Sequence, residues 1–201
     1  SQLGMNFNAL DYDILNSGRA SSSITTRGIN ILLTNVRSTS LGFEIEPVIN
    51  FRIKLKNIIS QFNSPINNQT FFSYYDSLTS TGVSNEINQF SIQTGFLYTP
   101  GKKVTGNGVD RYLVSDNYST IIFKYTKGLR GILNSDFNYD KIQFSYIKPW
   151  YIGSIGRLKS SFNIGKTIGT VPIGLLHIIP GNQTSYSLFG TFHNLNYYEF
   201  I

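Results

Sequence analysis

Five charged side chains near the first clear strand pattern are the residues best placed for chemistry. They are Glu44, Glu46, Arg52, Lys54 and Lys56. Alternate residues of a β-strand share one face, so a turn at 47–50 would place the acids opposite the bases. The preferred interpretation is a set of ion pairs that fixes a partly sheltered wall. The alternative is a wall that attracts anions.

Metal and redox chemistry find little support in the residue types. The chain has no cysteine, which excludes a disulfide scaffold, a cysteine zinc site and an iron–sulfur cluster. It has two histidines, His177 and His193, and the nearest acid to the second is Glu199. Since catalytic zinc usually takes three protein ligands, we predict no metal site, no cofactor and no catalytic residue.

Composition limits the class of protein further. Charged residues make up 14% of the 201 residues, against about 25% in an average soluble domain, and aromatic residues make up another 14%. The aromatic content excludes intrinsic disorder, and no apolar run is long enough for a transmembrane helix. The net charge of +6 hints at an anionic partner, although a solvated basic surface explains it equally well. Residues 1–201 are expected to belong to one domain.

Apolar and polar residues alternate with a period of two along much of the chain. The segments that do so are 48–59, 89–98, 119–127, 139–148 and 155–165. In the fourth segment, for example, Phe144 alternates with Gln143 and Ser145. This period is that of a β-strand with one apolar and one polar face. With further candidates at 29–36 and 41–46, the sequence predicts about eight strands.

Two architectures accommodate such strands. A soluble β-sandwich turns its apolar faces inward, whereas a transmembrane barrel turns them toward lipid and keeps a polar lumen. Aromatic residues near strand ends, strands of about ten residues and alternating short and long connections favour the barrel. The alternative that remains open is a soluble, secreted sandwich that binds glycans or other ligands through its long polar loops.

The second half of the chain carries short motifs in a characteristic order. They are YTPGKK (98–103), YTKGLRG (125–131), SDFNYDKIQ (135–143), GKTIGTVP (165–172), LLHIIPGNQT (175–184) and FHNLNYYEF (192–200). A weaker match is EPVINFRI at 46–53. Together these motifs resemble a family of Bacteroidota outer-membrane proteins of unknown function, whose members carry a carboxypeptidase-regulatory-like domain ahead of a β-barrel.

The resemblance implies an all-β, antiparallel transmembrane barrel of which this chain is a part. It implies a location in the bacterial outer membrane, in contact with lipid and lipopolysaccharide, with other envelope proteins as candidate partners and no nucleic acid. The implied role is non-enzymatic, in outer-membrane assembly, in transport or as a subunit of a surface complex. The family has no established catalytic residues to carry over.

The connection Gly165–Thr184 is the most unusual of the predicted loops, because glycines and prolines flank an apolar run. The residues that carry this prediction are Pro172, Leu175, Leu176, Ile178, Ile179, Pro180, Gly181 and Asn182. We expect the segment to fold into the lumen or to cap one end of the barrel. The alternatives are a contact with a partner subunit and a short strand.

Overall fold

The computed structural model describes residues 35–63, 86–106, 111–172 and 175–177, and these residues form an all-β structure. The strands are β1 (Asn35–Val48), β2 (Phe51–Asn63), β3 (Glu86–Tyr98), β4 (Val104–Thr105), β5 (Tyr112–Leu113), β6 (Thr120–Gly128), β7 (Tyr139–Ile152) and β8 (Gly156–Ile168). One 3-10 turn, Ile132–Asn134, precedes β7. No helix within these ranges is long and apolar enough to cross a membrane.

Six strands form a single antiparallel sheet in the order β1-β2-β3-β6-β7-β8, and β4 and β5 pair separately within the connection between β3 and β6. Sequence neighbours are therefore spatial neighbours. The β1–β2 turn is short, with Asn50 at a φ of 69°, a left-handed conformation that asparagine tolerates. A three-residue turn, 153–155, joins β7 to β8.

The register places side chains in straight rows across all six strands. One row runs Glu44, Lys54, Gly95, Lys124, Gln143, Gly165. The next row runs Gly42, Lys56, Gln93, Thr126, Lys141, Thr167. We call the face that carries these rows the polar face. Successive residues point to opposite faces, so the intervening rows belong to the other side of the sheet.

That other side, which we call the apolar face, consists mainly of aromatic and branched side chains. One of its rows runs Ile45, Ile53, Phe96, Phe123, Phe144, Ile164. Its phenylalanines contact one another across the strands, with ring centroids 6.1 Å apart for Phe96 and Phe123. The alternation that the sequence predicts for 89–98 and 139–148 is thus confirmed as strand structure, and so is that of 119–127 and 155–165 apart from the first residue of each. The segment 48–59 is confirmed only from 51 onward, because 48–50 form the end of β1 and the turn before β2.

Burial on this sheet is the reverse of what a soluble protein shows. On the central strands the polar-face residues are buried, and the apolar-face residues between them are not. Lys124 is 2% exposed, whereas its neighbour Phe123 is 36% exposed. On the outer strands Phe43 and Phe162 are 65% and 58% exposed. The hydrophobic effect in water would favour the opposite arrangement.

Most of the buried apolar residues lie in two small clusters near the ends of the polar face, and Ile147 is buried as well. The larger cluster consists of Phe62, Ile87, Phe137, Tyr139, Val171 and Leu175. The smaller cluster, Leu97 and Ile122, lies toward the opposite strand ends. Between these clusters the polar face is lined by polar and charged side chains.

Several predicted boundaries are corrected by the structure. The candidate strands 29–36 and 41–46 are replaced by one strand, β1, which pairs with β2 along nearly its whole length. Residues 29–34 lie outside the described part of the chain. The predicted loop at 165 begins later, because pairing with β7 continues to Ile168. Of the barrel prediction, the structure confirms the antiparallel sheet. Within the described residues this sheet is open, with β1 and β8 as its outer strands.

Candidate functional site

The predicted charge cluster is brought together in part by the β1–β2 pairing. Glu44 lies directly opposite Lys54. The guanidinium Nη1 of Arg52 donates to Glu44 Oε1 at 3.1 Å, and Lys54 Nζ lies 3.9 Å from Glu44 Oε2. These side chains are 24–37% exposed, so the pairs are screened and each contributes little to stability. Lys56 lies on the same face, opposite Gly42 and Gln93.

Glu46 turns away from this group toward the connection between β3 and β6. Its Oε1 accepts the backbone N–H of Asn50 at 3.0 Å and lies 3.6 Å from Arg111 Nη1. The side-chain amide of Asn50 in turn donates to the carbonyl of Lys102 at 2.9 Å. Burial and the nearby charge of Arg52 lower the pKa of the Lys102 ammonium. These contacts anchor the connection over the β1–β2 turn.

The centre of the polar face is a group of buried polar side chains on β3, β6 and β7. Lys124, Lys141 and Gln143 are each at most 3% exposed. Gln93 Nε2 donates to Thr126 Oγ1 at 3.3 Å, which links β3 to β6 along one row. Burying a polar group without a hydrogen-bond partner costs free energy of folding. Hydrogen bonds among these side chains therefore stabilise their buried positions.

A return segment, which the structure describes at 171–172 and 175–177, folds back from the end of β8 onto this face. Val171, Pro172 and Leu175 are buried, and Leu176 packs against the same apolar cluster. The N–H of Leu175 donates to the carbonyl of Pro172 at 2.9 Å, which tightens the segment into a turn. The proline has no N–H to satisfy, so it can be buried without an orphaned donor.

His177 fixes the end of the return segment to β7 and β8. Its backbone N–H donates to Thr167 Oγ1 at 2.9 Å, and its Nδ1 lies 3.1 Å from Gln143 Nε2. The imidazole ring covers Gly165 so closely that a Cβ there would lie 2.5 Å from it. The Lys141 ammonium reaches the carbonyl of Leu176 at 3.5 Å. The glycine therefore leaves room for the ring on the strand.

The rest of the predicted loop site lies outside the described residues. This applies to Ile178, Ile179, Pro180, Gly181 and Asn182. It applies also to His193 and Glu199, the residues weighed for a metal site. Within the described ranges, no three histidine or acidic residues come together in a way that would hold a metal ion.

Charged and aromatic residues mark the strand ends on the apolar face. At one end Lys148 Nζ lies 4.0 Å from the centre of the Trp150 ring, and the indole N–H donates to Ser160 Oγ at 3.0 Å. At the other end Lys127 Nζ lies 2.9 Å from Asp140 Oδ1, which also accepts the hydroxyl of Tyr125. The apolar band of β7 lies between these two groups.

A second charged group lies beyond the band, where the β3–β6 connection meets the β7–β8 hairpin. Arg157 Nη1 lies 2.6 Å from Asp116 Oδ2, and the hydroxyl of Tyr151 donates to the same carboxylate. The hydrogen bond from Tyr151, with the charge of Arg157 nearby, holds the pKa of Asp116 below its usual value. These contacts tie the connection to the hairpin.

The buried centre of the polar face was not singled out by sequence reasoning. The alternation of 119–127 and 139–148 does place Lys124, Lys141 and Gln143 on the polar side, so the signal was present. The alternation gives neither the register, which shows that these residues lie side by side, nor the path of the return segment, which brings His177 to them.

The comparison with known families gives one match. A family described as "Family of unknown function (DUF5686) C-terminal domain" matches residues 30–201. The chain belongs to this family. The match covers all eight strands and the return segment, so the DUF5686 C-terminal domain contains the whole polar face described above. No curated protein matches the chain.

Proposed function

We propose that the chain forms part of the wall of a transmembrane β-barrel in the bacterial outer membrane, with its apolar face toward lipid and its polar face toward the lumen. Its role is non-enzymatic: an integral envelope protein that acts in outer-membrane assembly, in transport or as a subunit of a surface complex. Lipid and lipopolysaccharide surround it, and other envelope proteins are its partners. The parent protein is a Bacteroidota protein with a carboxypeptidase-regulatory-like domain ahead of the barrel.

The inverted burial of the central strands is the observation that carries this proposal. Phenylalanine and isoleucine on the apolar face are left uncovered, while lysine and glutamine on the polar face are buried. An exposed apolar surface of this extent in water would favour aggregation. In a bilayer the same apolar side chains would contact the hydrocarbon of the lipids, as they do in outer-membrane barrels.

The height of the apolar band on β7 supports a membrane setting. Asp140 and Lys148 are the charged residues that bound it on the apolar face, and Ile142, Phe144 and Tyr146 lie between them. Eight residue steps of about 3.4 Å give roughly 27 Å along the strand, or roughly 21 Å at a tilt of ~40°. That height approaches the ~25 Å apolar band of outer-membrane barrels.

The open edges of the sheet support closure by further strands. β1 and β8 run for 14 and 13 residues as the outer strands of the described sheet. Long unpaired edges in a protein favour pairing with other chains, and closure into a barrel removes them. Closure of the wall into a barrel by further strands would leave neither β1 nor β8 with an open edge.

The chain's single tryptophan gives a direct test. Trp150 lies at one limit of the apolar band, beside Lys148. In vesicles that contain brominated lipids, we expect its fluorescence to be quenched most strongly by bromine near the headgroups. In a Trp150→Phe background, a Phe144→Trp variant should be quenched most strongly by bromine near the bilayer centre.

The control for this experiment is the same protein without lipid, which fixes the unquenched intensity. A chain that stays monodisperse in buffer without detergent and shows no quenching in vesicles would contradict the proposal. That result would favour the soluble sandwich instead.

A further inference from the structure

We infer that the apolar face carries a binding site for the phosphate of an anionic membrane lipid, at the end of the apolar band where the β7–β8 hairpin lies. The donors of this site are the ammonium of Lys148 and the hydroxyls of Ser119 and Tyr146. The inference rests on the proposed function, because the site meets a lipid only if the apolar face lies in a bilayer.

Lys148 is held at this end of the band by two neighbours on its own face. Its Nζ lies 4.0 Å from the centre of the Trp150 ring, two residues further along β7. The indole N–H donates to Ser160 Oγ at 3.0 Å, and Ser160 Oγ donates to the carbonyl of Lys148 at 3.2 Å. These contacts fix the ring against the strand. The ammonium therefore lies on the side of Trp150, away from the apolar band, where the headgroups of a bilayer would lie.

The charge of Lys148 is not offset in the way that the charge at the opposite limit of the band is. There Lys127 Nζ lies 2.9 Å from Asp140 Oδ1. No carboxylate of the described residues forms an ion pair with Lys148. Asp116, at the same end of the sheet as Lys148, lies 2.6 Å from Arg157 instead. The ammonium of Lys148 therefore keeps its attraction for an external anion.

Two hydroxyls lie beside Lys148 on the same face. Thr120 pairs with Ile147, so Ser119, which precedes β6, is level with Lys148 on the neighbouring strand. Ser119 Oγ and Tyr146 Oη lie 3.4 Å apart, and the hydrogen bond between them uses one of their two hydroxyl hydrogens. The other hydrogen remains for an external acceptor, which can reach it because both side chains are partly exposed. An ammonium beside a hydroxyl donor suits the oxygens of a phosphate.

Apolar side chains next to these donors favour a lipid over a free anion. Phe162 pairs with Tyr146 and Ile164 pairs with Phe144, and the two β8 residues are 58% and 57% exposed. A lipid whose phosphate contacts Lys148 lays its acyl chains along these side chains, whereas a free phosphate gains nothing from them. An anionic headgroup is favoured over a zwitterionic one, because the zwitterionic headgroup brings its own ammonium close to Lys148.

Trp150 reports which lipid occupies the site, since it contacts Lys148. The full chain is reconstituted in phosphatidylcholine vesicles that contain brominated phosphatidylcholine in one series and brominated phosphatidylglycerol, at equal mole fraction, in the other. The ratio of the two quenching efficiencies gives the relative affinity of the lipids at this site. We expect a preference of about fivefold for phosphatidylglycerol, the size expected for one lysine near anionic lipid.

The decisive variant is Lys148→Gln, which should reduce the preference to about one. Lys148→Arg should retain it, because the charge remains. The matched control is Lys166→Gln, which removes an exposed lysine from the same face beside Ile142, near the other limit of the band. This control should keep the wild-type preference. Far-UV circular dichroism confirms the β-structure of every variant before the measurement.

Equal quenching by the two brominated lipids would overturn the inference, and so would an unchanged preference in Lys148→Gln. In both cases Trp150 still contacts lipid, and the membrane proposal stands. Excess orthophosphate in the buffer should leave the preference unchanged; if it abolishes the preference, the site takes a free anion and the lipid assignment falls. Absence of quenching by both brominated lipids would overturn the inference together with the membrane proposal.

Discussion

The two faces of this sheet are built from the same strands, yet they differ in residue type, in burial and in the contacts that their side chains make. The polar face buries lysine, glutamine and serine on β3, β6 and β7 and makes specific side-chain hydrogen bonds between neighbouring strands. The apolar face leaves phenylalanine and isoleucine uncovered and makes ring contacts. Alternation in the sequence therefore shows that the sheet has two different faces. Only the burial of side chains in the structure shows which face is covered and which is exposed.

The largest expected effect comes from placing a charge at the middle of each face. If the apolar face meets lipid as proposed, Phe144→Lys should lower the free energy of unfolding in vesicles by about 2–4 kcal/mol, because an ammonium would then lie in hydrocarbon. The neighbouring Ser145→Lys on the polar face should cost less. Urea unfolding of both variants in lipid vesicles measures the difference, and a larger loss for Ser145→Lys would reverse the assignment of the faces.

The next effect tests the contact between the return segment and the polar face. Gly165→Ala places a Cβ 2.5 Å from the His177 ring, so the ring must move, and we expect a loss of about 1–3 kcal/mol. Combining it with His177→Ala should recover part of that loss, since the ring that causes the clash is absent. Denaturant midpoints of the single and double variants give the coupling; additive losses would exclude the contact.

A smaller effect is expected for the ion pair at the edge of the polar face. Arg52 and Glu44 are partly exposed, so a double-mutant cycle with Arg52→Ala and Glu44→Ala should return a coupling of about 0.2–1 kcal/mol. High salt should reduce this coupling. A coupling several times larger that persists in high salt would show that the pair is more sheltered than the structure indicates.

The smallest effect concerns the charged group beyond the apolar band, and it depends on pH. Because the pKa of Asp116 is lowered in the folded chain, its contribution to stability is present above the unfolded value and is lost as pH falls through the folded value. The denaturant midpoint of the wild type should therefore fall between neutral pH and about pH 3, and that of Asp116→Asn should fall by less. An unchanged difference would show that Asp116 makes no contribution.

The sequence predicts most of the strands but little of their arrangement. Alternation identifies β2, β3, β6, β7 and β8 because their faces differ in polarity along much of their length. It fails for β1, where Arg37, Ser38, Thr39 and Ser40 are polar on both faces and conceal the period. Pairing with β2, a contact that no local pattern encodes, forms that strand.

The candidate site could be predicted only where its contacts are local. The pairing of Glu44 with Arg52 and Lys54 follows from a short hairpin, so sequence spacing was enough. The meeting of His177 with Gln143 and Gly165 depends on the register between β7 and β8 and on the path of the return segment. A local pattern contains neither, and for the same reason the burial of Lys124 and Lys141 emerged only from the structure.

The central claim, that the apolar face meets lipid and the polar face does not, is tested most directly by single cysteines along β7. The chain has no cysteine, so one substitution at each position from 142 to 147 gives six unambiguous reporters. In vesicles, we predict that a lipid-soluble maleimide labels positions 142, 144 and 146 and leaves 143, 145 and 147 largely unlabelled. Uniform labelling, or labelling of 143, 145 and 147 instead, would contradict the account.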